Sequence, residues 1–173
     1  MNKIQESLAF TFLCVLALSF SAFAQNNFAK SAISIGVVVE DLDKSLDFYK
    51  NVVGMVQVRE FTVDSEKAKR MGLSEGEPFD IKVLKLENSE EAAELKLMSF
   101  NRKTSHHNQN FIPDENGIRY LTLFVDSMAP ILKRIKNLKV KTLGQTPTML
   151  DADRQFVLIQ DPDGNFIEFI GPN

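Results

Sequence analysis

One cysteine, Cys14, and two histidines, His106 and His107, are all that the chain offers of the softer metal-binding side chains. A single thiol excludes an internal disulfide and a thiolate zinc cluster. The two histidines are adjacent in a polar stretch, and neighbouring side chains diverge in extended backbone, so they read as solvated loop residues. A contribution at the mouth of a binding site is the alternative for that pair. Basic surplus is absent too: the net charge is -3, which gives no electrostatic reason for a nucleic acid or anionic lipid partner.

Long apolar runs are also missing, apart from Leu8 to Phe20. At 13 residues that run falls well short of the roughly 20 that a bilayer-spanning helix needs. Lys3 precedes it and Ser21-Ala22-Phe23-Ala24 follows, small residues standing at the third and first positions before a cut. This is the layout of a secretory signal, residues 1–24, and the expectation is an exported protein, periplasmic or secreted. An uncleaved anchor is the alternative, since Glu6 weakens the positive start. Leu13 stands where a small residue precedes a lipid-modified cysteine, so Cys14 leaves with the signal. Removing Lys3 and Glu6 together leaves the charge unchanged, and no membrane contact is expected after cleavage.

Residues 25–173 suit one domain with its own core. Ile33, Ile35, Val37 and Val39 alternate as a strand. Asp41 is a fit N-cap for a helix carrying Leu42, Leu46, Tyr49 and Val53 inward, and Gly54 stands at its stop. Strands follow near Val56 to Thr62, Ile81 to Leu86 and Glu94 to Phe100, with a turn or two of helix over Glu66 to Met71. Asn101 to Gly117 has no apolar period and reads as a linker. The order then recurs: a strand over Ile118 to Val125, a helix over Ser127 to Leu138 with Pro130 in its first turn, and strands near Phe156 to Gln160 and Phe166 to Ile170. Laying Val39 on Val125 superposes Leu42 on Met128, Leu46 on Leu132 and Tyr49 on Ile135. Two βαβββ modules are predicted, about 31–100 and 118–172. The expected fold class is α+β, with a curved, cup-shaped mixed sheet and helices outside.

Three motifs carry a family resemblance. Val37-Val38-Val39-Glu40-Asp41-Leu42 with Phe48-Tyr49 and Val53-Gly54-Met55 resembles the opening of vicinal oxygen chelate domains: the glyoxalases, bleomycin resistance proteins and extradiol dioxygenases. Gly117-Ile118-Arg119 running into Leu121 to Asp126 is similar to the start of their second half. Asp161-Pro162-Asp163-Gly164-Asn165-Phe166-Ile167-Glu168 is similar to their closing turn and last strand, and is the most specific of the three.

The resemblance implies a cup that holds a divalent metal on four strand positions, which fall here on Ser34, Lys96, Tyr120 and Glu168. Only Glu168 is a competent donor; sliding two residues would put Glu94 on the strand face of Lys96 instead. An ammonium excludes a dication at short range, so Lys96 is expected to replace the metal's charge and to pair with Glu168 across the cup. Ser34, Lys96, Tyr120 and Glu168 thus form the candidate cup floor for a small organic ligand, the first three offering donors to an anionic or carbonyl-bearing molecule and Glu168 orienting the lysine; no catalytic residue is assigned, and a bound metal or other cofactor is disfavoured. For Lys96 and Glu168 the plain alternative is a solvated strand face, and for Tyr120 it is packing. Met98, Phe100, Phe124 and Phe156 line the cup or fill a core, and Asp161 and Asp163 read as turn residues. Metal-free ligand binding is the expected function, with a glyoxalase-like or epimerase-like enzyme as the alternative. A vestigial cup on an interaction protein is the third reading, and a homodimer stays open.

Overall fold

Alternation in the strands and helical spacing between them build the same unit twice. A computed structural model describes residues 27–100, 102–103 and 107–173, and residues 32–173 cluster as one unit. The expected signal segment and His106 lie outside the described residues. Among the described residues no helix is long and apolar enough to cross a membrane.

Module one runs β1 (Ser34–Val38), α1 (Leu42–Phe48), β2 (Val56–Val63), α2 (Ser65–Arg70), β3 (Phe79–Lys85) and β4 (Glu94–Ser99). Module two runs β5 (Tyr120–Phe124), α3 (Ala129–Asn137), β6 (Thr148–Met149), β7 (Arg154–Gln160) and β8 (Phe166–Pro172). The sheets have the orders β1-β4-β3-β2 and β5-β8-β7-β6. In each, the first strand lies parallel to the last and the other pairs are antiparallel. The α+β fold of two βαβββ modules is therefore as expected. Each module contributes its own four-stranded mixed sheet, and no ladder joins β1 to β5 among the described residues.

Strand pairing is in matching register. Ser34 lies opposite Glu94 and Gly36 opposite Lys96; Tyr120 lies opposite Phe166 and Thr122 opposite Glu168. One face of each sheet carries Leu95 and Leu97, or Ile167 and Phe169, against the helices. These form one buried cluster across both modules with Tyr49, Met128, Ile131 and Ile135, the main hydrophobic stabilisation of the fold.

Asp41 caps α1 by accepting from the Lys44 N–H at 3.0 Å. The helix expected to continue to Val53 instead widens after Phe48 into a π-turn, Tyr49–Val53. Gly54 and Met55 both donate to the Tyr49 carbonyl, at 3.0 and 2.9 Å. The released carbonyls are not left bare. Arg134 of α3 donates to Val52 O at 2.8 Å and to Val53 O at 3.0 Å. Its guanidinium lies 3.1 Å from where a Cβ on Gly54 would sit, and Gly54 has φ 94°, so space and backbone both ask for glycine there. At the seam of β5 and β8, a Cβ on Gly171 would come within 2.2 Å of the Val125 carbonyl oxygen.

The closing turn does more than reverse the chain. The buried Asp161 carboxylate accepts from the Tyr49 hydroxyl at 2.8 Å, from the Asn165 amide side chain at 2.9 Å and from the N–H groups of Asp163 and Asn165 at 2.9 and 2.8 Å. Asp163 accepts from the Glu40 N–H at 2.8 Å and from the buried Ser45 hydroxyl at 2.9 Å. Both aspartates, read from sequence as turn residues, thus fasten module two to the start of module one. Burial, then the charge and hydrogen bond of Asp161, hold the Tyr49 phenol well above its ordinary 10.0.

Replacing Tyr49 by Phe removes a hydrogen bond to a buried carboxylate, and urea denaturation should show a loss of roughly 1.5–3 kcal/mol. The advantage of the native residue should be whole below pH 10 and shrink above it, because the phenol of the unfolded chain then ionises while the folded one does not.

Candidate ligand-binding cup

Each sheet has a second face, turned away from α1 and α3, and the two modules treat it differently. In module one Ile81, Val83 and Met98 share that face with Val63 and Phe79, and α2 seats the fully buried Ala68 on it. Phe100 stacks on Phe79 with ring centroids 4.6 Å apart. The absence of a side chain at Gly36 gives room to Met98, whose methyl lies 3.0 Å from where a Cβ would be. This half of the cup is therefore filled by the module's own apolar side chains, and Met98 and Phe100 serve as packing.

What remains of that face is ionic. Glu94 accepts from the Ser34 hydroxyl at 3.0 Å and from Arg59 at 2.8 Å on both carboxylate oxygens, and Lys96 Nζ stands 3.8 Å from Glu94 Oε2. The expected pair of Lys96 with Glu168 is not formed. Glu94 and Lys96 are two residues apart on one strand and so share a face, which gives the ammonium a nearer carboxylate than any across the cup. Arg59 comes from a strand whose ionic role the sequence did not announce. Burial pushes the Glu94 carboxyl up, but the Ser34 hydroxyl with the charges of Arg59 and Lys96 outweighs it and holds Glu94 below its ordinary 4.5.

In module two the corresponding face is open. Tyr120 and Phe124 of β5 are 47% and 71% exposed, and Phe156, Leu158, Glu168 and Ile170 are each only partly buried. No helix matches α2, because the connection between α3 and β7 holds only the short β6. Thr122 donates to Glu168 Oε2 at 2.7 Å, the sole hydrogen bond of that carboxylate among the described residues. One end of the face is closed by the linker. Gln160 donates to Gln109 O at 2.8 Å, while Arg119, which lies over the Phe166 ring, donates to Ile112 O at 2.8 Å and to the Gln109 side chain. The expected linker therefore contains an ordered wall, including a 3-10 turn at Ile112–Asp114. His107 stands on it, highly exposed and 3.0 Å from Glu115.

The structure thus groups Ser34 with Lys96 through Glu94, joins Glu168 to Thr122, and sets Tyr120 in a cleft of about 250 Å³ between β1 and β5 with Gly36, Val38 and Arg119. A larger polar cavity, about 810 Å³, runs beside the linker past Lys103, Asn108, Gln160 and Asp163.

The profile of the glyoxalase/bleomycin resistance protein/dioxygenase superfamily matches residues 32–169. The chain belongs to that superfamily. Among curated relatives, the uncharacterized protein YwbC of Bacillus subtilis (strain 168) is 22% identical over 143 residues, covering 82% of this chain and 97% of its own. Among solved structures, a glyoxalase family protein from Bacillus cereus superposes with a TM-score of 0.70 at 18% identity, over 87% of this chain and 99% of that one. TnmS3, an antibiotic binding protein from Streptomyces sp. CB03234, gives 0.56 at 20% identity, over 84% and 99%.

The divalent metal implied by the superfamily does not fit the residues present. Of the four positions, Ser34 and Lys96 are engaged with Glu94, and the Lys96 ammonium and the Arg59 guanidinium bring positive charge to that side. Among the described residues no group of three His, Cys, Asp or Glu side chains could hold an ion.

Glu94→Gln should lower the melting temperature at neutral pH, since Arg59 and Lys96 lose their counter-charge. Because the carboxyl is depressed in the folded state, its contribution is present above pH 4.5 and fades as the pH falls below, so the melting curves of mutant and native protein should converge in acid.

Proposed function

We propose that this superfamily member is a binding module that takes a small organic molecule on the outer face of module two, without a metal ion. The observation carrying this reading is the difference between two halves in matching register: module one fills its outer face with Met98, Phe79 and Ala68, while module two leaves Tyr120, Phe124, Phe156 and Leu158 uncovered around Thr122 and Glu168. A mostly apolar concave surface with a few placed polar groups is what small-molecule sites offer. The fold is shared with TnmS3, an antibiotic binding protein. Tyr120 supplies a hydroxyl at the cleft and Glu168 an acceptor; Ser34 and Lys96 support the module-one side through Glu94.

Two measurements test the reading. A thermal-shift screen of small organic compounds against zinc, nickel, manganese and iron should find an organic ligand that raises the melting temperature by roughly 5–10 °C at a hundred times its Kd, with no shift from the metals. One equivalent of metal, lost on Glu168→Gln, would overturn it. The proposed export of residues 25–173 is tested separately by the intact mass of protein recovered from expressing cells. That mass should begin at Gln25, and the full 173-residue chain would refute the cleavage.

A further inference from the structure

Resting on that reading, we infer that the molecule bound by module two is a flat aromatic cation, and that Glu168 selects it by charge. Same-face residues on one strand stand about 6.6 Å apart and adjacent strands about 4.8 Å. From Glu168 the nearest same-face neighbours are therefore Thr122 on β5, Leu158 on β7 and, on β8, Ile170 and the buried Phe166, with Tyr120, Phe124, Phe156 and Gln160 at the diagonals. Two or three fused rings cover such a patch. The carboxylate at its centre has no cation within 4.0 Å among the described residues, in contrast to Glu94 in module one, which holds Arg59 and Lys96.

The three arginines on the neighbouring elements of module two are engaged. Arg154 is bound to Asp151 at 2.5 and 2.8 Å, Arg119 is held by Gln109 and Ile112, and Arg134 caps the π-turn on the opposite side of the sheet. The Thr122 hydroxyl satisfies one oxygen of Glu168; the other, Oε1, has no donor among the described residues.

Covering this face strips water from a carboxylate, and the cost is met only by a ligand that brings a positive charge or a strong donor. An anion would be repelled, and a neutral molecule would offer Oε1 at best an uncharged donor, which is the weaker partner for a carboxylate. Exposed ring faces at Tyr120 and Phe124 add cation–π attraction and stacking. Charge and shape therefore point to the same ligand class.

Three probes on one three-ring aromatic frame separate charge from shape: proflavine, which is cationic, 9-anthracenemethanol, which is neutral, and anthracene-9-carboxylate. Fluorescence titration of the purified protein should rank them in that order, with proflavine at least tenfold tighter than the carboxylate. Glu168→Gln should erase the preference while retaining the neutral probe. Equal or tighter binding of the carboxylate, or proflavine binding indifferent to Glu168→Gln, would overturn the inference yet leave a binding face. Failure of all three would also overturn it, while the wider reading is decided by the organic-ligand screen. The ratio in the unmodified protein is decisive even if the variant does not fold.

Discussion

A buried carboxylate holds the two halves together. Asp161 sits at the end of β7 with four donors around it, one of them the Tyr49 hydroxyl from the other module. An anion in that position is tolerable because its lone pairs are filled. The arrangement also fixes where the last strand starts. β8 leaves the turn five residues after Asp161, and every side chain on its outer face, Glu168 included, takes its place from that origin. Asp163, clasped by Glu40 and Ser45, locks the same turn from its other side. The open face of module two thus rests on side chains of module one that lie on the far side of its sheet.

With that frame common to both halves, their divergence lies in local additions. Module one has α2 and a longer β2, and the apolar side chains of this insertion close over the sheet. Module two has a brief β6 in the matching place, so its sheet keeps an uncovered surface. A glycine in β1 and a threonine in β5 mark the same contrast at one position. Gly36 makes way for Met98, while Thr122 orients a carboxylate. Duplication followed by filling one half is an economical way to obtain a single concave site on a symmetric scaffold.

Much of this was legible in the residues. Period-two alternation in Ile33 to Val39 and helical spacing after Asp41 placed the elements to within a residue or two, and the internal repeat aligned the modules as the strand registers do. The Asp-Pro-Asp-Gly turn was readable as a turn. Its hold on Tyr49 and Ser45 was not, because those partners lie more than a hundred positions away and no local pattern records them. The pairing of Lys96 was misassigned for a related reason. Sequence placed it opposite Glu168 by family position, whereas the energetically nearer partner is Glu94 on its own strand, reinforced by Arg59 from β2. The π-turn was hidden because Tyr49, Val52 and Val53 satisfy an ordinary helical period as well, and the Arg134 guanidinium that takes up the Val52 and Val53 carbonyls arrives from module two.

One consequence follows from the way the two sheets meet. β1 and β5 share no backbone ladder among the described residues, and each hydrogen bond named at the turn and at the π-turn has a side chain on at least one end. Cohesion between the repeats therefore rests on the shared buried cluster and on the side-chain bonds of Asp161, Asp163 and Arg134, so each repeat keeps its own sheet intact whatever the distance between them.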